Sequence, residues 1–373
     1  MGTRLRIGIV GCGLVAQVMH LHYLRELPEL YEIVALCDAS PDLRDACAHD
    51  YNVHYTSGDW RDLLSKSLDA VFILTSGSHA PIAIAAAQAG LHILVEKPMC
   101  FSVHEGQAMI AAAERAQVTL MVAYNKRYDP AYRRFAEEVR DIPDIRLARV
   151  TTLEAPFVPY VAHYRLHRPT PLPHTVQAAF AADTAARIAS TIGEVDPLSA
   201  RAYHLVLLDS LVPEFNAVRG VLGEPDQLAF ADLTEHGGTA VLRFGATQCV
   251  LNWVDLPGIA RYAMEFAFYA PQSRLTLAFP SPFLRSAPTL LTREGGEPDT
   301  PRSWQTEEIT AYDESFREEL IHFHACVTSG SAPITSAADA LHDIALCQSV
   351  IDVHRRRAPR DRPSAWTPYV TQG

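Results

Sequence analysis

The sequence predicts a parallel α/β sheet covered by helices on both faces, followed by a second, α+β domain built largely from antiparallel strands. Three observations carry this. Short apolar runs alternate with helical patterns from Leu5 to Ala123, and a glycine cluster, Gly11-Cys12-Gly13, separates the first run from the first helix. Beyond Tyr128 the rhythm changes to longer segments rich in β-branched and aromatic residues.

The elements follow in order. Leu5 to Val10 reads as a strand, the glycines as a tight turn, and the stretch through Leu24 as a helix. Strands at Ile33–Cys37, Ala70–Thr75, His92–Val95 and Thr119–Ala123 alternate with helices at Pro41–Asp50, Pro81–Ala89 and Val103–Ala116. Each strand is apolar on both faces, which a parallel sheet sandwiched between helices requires. A helix at Pro130–Arg140 then leads to strands at Arg146–Leu153, Gly238–Phe244, Gln248–Val254 and Tyr262–Ala270. Between them, Pro156 to Pro173 is rich in proline, tyrosine and histidine and reads as an irregular loop before a helix over Thr175–Ile192. Amphipathic helices over Ser315–Thr328 and Ser336–Arg355 close the domain, and the proline-rich tail from Pro359 is expected on the surface.

A chain of 373 residues with 48% hydrophobic and 20% charged residues can bury two ordinary cores. Its formal charge of -11 argues against nucleic acid or an anionic membrane as partner and for a small molecule. No signal-like core or spanning segment is visible, so a cytoplasmic location is expected. The seven cysteines form no C-x-x-C pair and are expected as free, mostly buried thiols. The histidines lack clustered ligand spacing, so no metal is implied. Lysine is scarce: only Lys66, Lys97 and Lys126 occur among the 32 basic residues. A retained lysine suits a site that needs a group able to lose its proton, which arginine cannot do.

The run Gly11-Cys12-Gly13-Leu14-Val15-Ala16 lies where a dinucleotide fingerprint belongs, after a strand and at the start of a helix. Gly11 would permit the turn, Gly13 the approach of a pyrophosphate, and Ala16 close helix packing, with the helix N-terminus facing the phosphates. Asp38 ends the second strand 22 positions after Ala16, where a carboxylate accepts the adenosine ribose hydroxyls and repels a 2′-phosphate. NAD is thereby favoured over NADP, although Asp38 also suits a cap or turn before Pro41.

The run Leu94-Val95-Glu96-Lys97-Pro98-Met99 resembles the signature of the glucose-fructose oxidoreductase, inositol dehydrogenase and rhizopine-catabolism family. Thr75-Ser76-Gly77-Ser78-His79, Ala123 to Pro130 and Leu222-Gly223-Glu224-Pro225 extend the resemblance. It implies a Rossmann NAD-binding domain over 1–126. A substrate-binding and oligomerisation domain over 127–373 would follow, with a large open, mainly antiparallel sheet. It further implies cofactor contacts from Thr75, Ser76, His79, Glu96, Lys97 and Asn125, and substrate contacts from Lys97, Arg127, Asp209 and Asn216. Lys97 would assist proton transfer at the reacting oxygen; partial desolvation beside a cofactor cation predicts a lowered pKa.

One departure stands out. The family pattern of Asp, then Gly-x-His, then Asp on one helix falls here on Asp209, Leu211, Pro213 and Asn216, so the usual histidine is Pro213. Spacing still places 209, 213 and 216 on one helical face. Asp209 or Ser210 could instead cap a helix whose first turn tolerates the proline. Tyr203, His204 and Glu214 are the substitute proton donors nearest in sequence. The expected function is NAD-dependent oxidoreduction of a secondary alcohol or ketone on a sugar, cyclitol or similar polyhydroxylated molecule, in a homodimer or homotetramer. The alternatives are a redox-neutral enzyme that retains NAD, and a non-catalytic NAD-binding regulator.

Overall fold

The computed structural model describes residues 3–356. Its first sheet comprises β1 (Leu5–Val10), β2 (Tyr31–Cys37), β3 (Tyr55–Ser57), β4 (Ala70–Ile73), β5 (His92–Glu96) and β6 (Leu120–Ala123). All pairs are parallel, in the order β3-β2-β1-β4-β5-β6. Between β1 and β4 the strand order reverses, and in such sheets the ligand crevice opens there, outside the carboxyl ends of the strands. Ile7, Ile9, Val71, Phe72, Leu94 and Val95 are fully buried, as strands covered on both faces must be. β3 was not expected from the sequence. It has three residues, all half-buried, and adds an edge strand too short to show a pattern.

The second sheet contains β7 (Leu147–Glu154), β8 (Gln227–Thr234), β9 (Gly237–Phe244), β10 (Thr247–Asp255), β11 (Ala263–Tyr269), β12 (Ser273–Phe279), β13 (Leu290–Gly296) and β14 (Ser303–Ile309). The order is β14-β13-β12-β11-β7-β10-β9-β8, antiparallel except where β7 and β10 run side by side. Ala148, Val150 and Thr152 of β7 face the core, whereas Arg149 and Thr151 alternate onto the other face. Helix Pro130–Arg140, with its strongly apolar stripe, packs under β12 and β13.

The C-terminal helices tie the domains together. Helix Ser315–Ser329 returns to the first sheet: Phe316, Leu320 and Phe323 join its core, and the Tyr31 hydroxyl donates to the Leu320 carbonyl at 2.6 Å. Helix Ala337–Arg356 packs on both helix Val103–Ala116 and β8. The tail from Pro359 lies outside the described residues. No helix among the described residues is long and apolar enough to cross a membrane, and all seven cysteines are free and buried.

Candidate active site

The glycine turn after β1 has the shape a dinucleotide needs. Gly11 sits at φ +104, and a Cβ there would lie 2.7 Å from the Leu74 carbonyl carbon, so only glycine fits. A Cβ on Gly13 would meet nothing within 4 Å, leaving the open approach a pyrophosphate requires. Leu14 and Val15 begin the helix, which continues as wide π turns over Ala16–His20. The Asp38 carboxylate is held at the end of β2 by the N–H groups of Cys12 and Ser40, each at 2.8 Å. Lone pairs remain for ribose hydroxyls, so the residues present fit NAD. Asp38 does not cap helix Pro41–Asp50, whose N-cap position is Ser40.

Lys97 follows β5 directly. Its Nζ donates to Asp209 Oδ1 at 2.7 Å and to the Asp209 carbonyl at 2.8 Å, bringing the two sequence-predicted residues together from different domains. In α geometry the donor to this carbonyl, four residues on, would be the N–H of residue 213, and Pro213 has none. Pro213 occupies the first turn of helix Val212–Leu222, as expected, but the cap position is Leu211, so neither Asp209 nor Ser210 caps it. The preceding segment, Ala202–Leu211, is π-helical, a conformation common at functional sites.

The expected lowering of the Lys97 pKa is not found. Burial pushes it down, but the charge and hydrogen bond of Asp209 more than offset this and hold it above the ordinary lysine range. Glu96 braces the turn from behind: one oxygen meets His20 Nε2 at 2.7 Å and the other accepts the Lys97 N–H at 3.0 Å. Burial raises the Glu96 pKa, but His20 and Lys97 outweigh it and keep the carboxyl low.

Several expected site residues are committed elsewhere. His79 is fully buried, with Nδ1 2.7 Å from the Pro98 carbonyl and Nε2 2.6 Å from the Thr75 carbonyl, so it braces the cofactor-side loop rather than facing a ligand. Thr75 is half-buried and Ser76 exposed at the mouth of the crevice. Asn125 donates to Ser315 Oγ at 2.9 Å at the cleft wall. Tyr203 is buried and donates to the Phe101 carbonyl, which removes it as a proton donor. His204 stacks edge-on against Phe101; its half-burial lowers its pKa, with Asp209 acting in the opposite sense.

Arg127 and Asn216 are also corrections. Asn216 is 0% exposed and donates to Asp339 and Asp343 at 2.8 and 2.7 Å, while Arg127 donates to Asn216 Oδ1 at 3.1 Å. Both belong to a buried ionic cluster with Arg219 that clamps the C-terminal helix. Asp209 meets Lys97 whereas Asn216 meets Asp339 and Asp343, and the helix changes from π to α geometry between them.

The sequence reading left Lys126, Glu154 and Tyr262 out of the site. Lys126 follows β6, is 9% exposed, and its side chain forms no hydrogen bond or ion pair among the described residues. Glu214 is 1% exposed; it accepts from Thr152 Oγ1 at 3.2 Å through Oε1, and its Oε2 has no partner. Glu154 ends β7, with Ser210 Oγ 3.5 Å from its Oε2. A cleft lined by Asn125, Lys126, Asp129, Tyr262, Ser281 and Glu314 opens beside Lys126, although Lys97, Asp209, Glu154 and Glu214 do not line it. The lysine scarcity that singled out Lys97 applied equally to Lys126. Among the described residues no group of three or more side chains is placed to hold a metal.

Residues 5–124 match the family model of the oxidoreductase family with an NAD-binding Rossmann fold. That match is confined to the N-terminal, Rossmann portion of the chain. A D-apiose dehydrogenase from Paraburkholderia graminis is 27% identical over 93% of this chain and 86% of its own length. An uncharacterised oxidoreductase from Bacillus subtilis is 31% identical, but the match spans 43% of this chain and about half, 48%, of that protein. The fold is shared with a 3-ketoreductase from Actinomadura kijaniata in complex with NADP and TDP-benzene. The TM-score is 0.71 and the identity 20%, over 94% of this chain and 98% of that one. It is also shared with an oxidoreductase from Agrobacterium radiobacter in complex with NAD+, L-tartaric acid and magnesium. There the TM-score is 0.69 and the identity 17%, over 95% of this chain and 97% of that one.

Proposed function

We propose that the chain is an NAD-dependent oxidoreductase acting on a secondary alcohol, or the corresponding ketone, of a sugar, cyclitol or related polyhydroxylated molecule. The observation that carries the reading is the Lys97 ammonium, pinned by Asp209 at the carboxyl end of β5 on the same side of the sheet as the glycine turn. A bound nicotinamide would take or return the hydride at the carbinol carbon. Lys97 donates a hydrogen bond to the reacting oxygen and stabilises the negative charge that develops there. Asp209 keeps the ammonium charged and aimed. The D-apiose dehydrogenase relative supports the substrate class, and Asp38 supports NAD over NADP.

Purified protein is assayed with NAD and NADP against pentoses, hexoses and cyclitols, D-apiose and myo-inositol among them. Reduced cofactor should accumulate with at least one polyol. Lys97→Ala should lower kcat by about 10²-fold or more while leaving cofactor binding intact. A Lys97→Ala variant with full activity would remove the proposed role, and a protein that binds NAD yet turns over nothing would favour the regulatory alternative.

A second reading has one specific observation behind it. The segment before helix His174–Ile192 crosses the fingerprint helix: Gln17 donates to the carbonyls of Cys12 and His167 at 3.0 and 3.1 Å and accepts the His167 N–H at 2.8 Å. His167 Nε2 also reaches Asp50 at 2.7 Å. Such a strap favours a cofactor that stays bound through a redox-neutral epimerisation, elimination or cyclisation. Near-stoichiometric NAD released on denaturing protein purified without added cofactor supports it, and sustained accumulation of NADH excludes it.

A further inference from the structure

The proton released on oxidising a carbinol must leave at neutral pH, and the Lys97 ammonium, locked to Asp209, is badly placed to accept it. Resting on the oxidoreductase reading above, we infer that Lys126 and Glu214 form the proton-exchanging pair of this site, with Lys97 as a fixed positive anchor. Three observations converge. Lys126 is a largely buried lysine lining the cleft, its amine without a hydrogen-bond or ion-pair partner among the described residues, at the carboxyl end of the strand next to that of Lys97. Glu214 is a buried carboxyl with one unpartnered oxygen, one residue after Pro213. Lys126 and Glu214 act on each other electrostatically without forming an ion pair within 4 Å.

The environment moves the two groups towards one another. Burial lowers the Lys126 pKa, with Lys97 acting in the same direction and Glu214 and Glu154 opposing. Burial raises that of Glu214, with Glu154 adding to it and Lys126 and Lys97 opposing. Tyr262 feels both carboxylates, and Asp129 and Glu314 line the same cleft. On this inference the pair holds one proton between them. On oxidation, the hydride leaves the carbinol carbon with the C–H electron pair, and the O–H bond breaks with its electrons kept on oxygen. The proton joins the singly protonated pair, giving ammonium and carboxylic acid, and is then released to water. Reduction runs the same steps backwards.

Because the chain has three lysines, full-length protein carrying ε-13C-lysine gives three resolvable signals, assigned with Lys66→Arg, Lys97→Arg and Lys126→Arg. Lys126 should titrate below ordinary lysine and shift in Glu214→Gln, while Lys97 titrates above it. In turnover, kcat/KM for oxidation should rise with pH as the pair loses its second proton. Lys126→Met should lower kcat about 10²-fold or more and flatten that limb, and Lys126→Arg should not rescue it. Cofactor affinity should stay unchanged in both. A Lys126 signal that titrates with Lys66 and ignores Glu214→Gln overturns the inference, as does a Lys126→Met enzyme with the parent kcat and pH profile. Should no polyol be turned over by the parent protein, the oxidoreductase reading fails, and the lysine titration still decides whether the pair exists.

Discussion

Removing the Asp38 carboxylate should relax the choice between NAD and NADP. Its two oxygens are fixed by the Cys12 and Ser40 N–H groups, both at 2.8 Å, so the charge cannot swing away from an approaching 2′-phosphate. At roughly 5 Å and an effective dielectric of about 20, the repulsion is about 3 kcal/mol per unit phosphate charge. Asp38 is only half-buried, and solvent screening reduces this. A change of about tenfold to a hundredfold in the NAD/NADP preference remains, equivalent to about 1.4 to 2.7 kcal/mol. Asp38→Ala should weaken NAD by loss of the ribose hydrogen bonds and strengthen NADP by loss of repulsion. Dissociation constants for both nucleotides, measured by calorimetry or nicotinamide fluorescence on parent and variant, test this. An unchanged ratio, or a parent that binds NADP as tightly as NAD, would refute the electrostatic reasoning.

Three further outcomes follow from the geometry. Pro213→Ala supplies an N–H that competes with Lys97 for the Asp209 carbonyl; kcat should fall several-fold with stability within about 1 kcal/mol of the parent, read by steady-state kinetics and denaturant titration. Arg219→Met strands Asp343, which is fully buried 2.6 Å from the guanidinium, and should cost about 3–5 kcal/mol, visible as a lower unfolding midpoint. Glu224 is held down to about 2, first by its hydrogen bond from Arg219, so its stabilisation is present above the unfolded value of 4.5 and lost as pH falls towards 2. The carboxylate is half-exposed, so this amounts to less than about 1 kcal/mol, and Glu224→Gln should remove that part of the acid limb in pH-dependent unfolding.

The elements with strong local signals were legible in the sequence. Pro41–Asp50, Val103–Ala116 and Pro130–Arg140 match the structure residue for residue, because proline at the first helical position and apolar spacing mark their limits. The family resemblance and the two-sheet architecture were legible as well. Strands β3, β8, β12, β13 and β14 were not. β3 is too short for a pattern, and six of the seven residues of β14 are exposed, so neither carries an apolar alternation. The buried ionic cluster was equally hidden. Arg127, Asn216, Arg219, Asp339 and Asp343 meet only because helix Ala337–Arg356 folds back across more than a hundred residues, and nothing in their spacing announces it.

The site shows the same division between what is local and what is not. Glycines at a strand–helix turn and an aspartate ending the next strand are local necessities of nucleotide binding, and the sequence exposes them. The meaning of Pro213 is not local. Against the resemblance it reads as a loss, yet in the fold it offers no N–H to compete with Lys97 Nζ, which gains a second anchor on the Asp209 carbonyl at 2.8 Å. That anchor comes from the same residue as the carboxylate, so the ammonium is fixed in place and in charge. A lysine fixed in charge can stabilise a developing alkoxide but cannot carry its proton away at neutral pH. The substitution that removes one acid/base group therefore also removes Lys97 from that work. Among the described residues, Lys126 and the residue immediately following the proline, Glu214, are buried and not locked in ion pairs, and the inferred proton exchange falls to them.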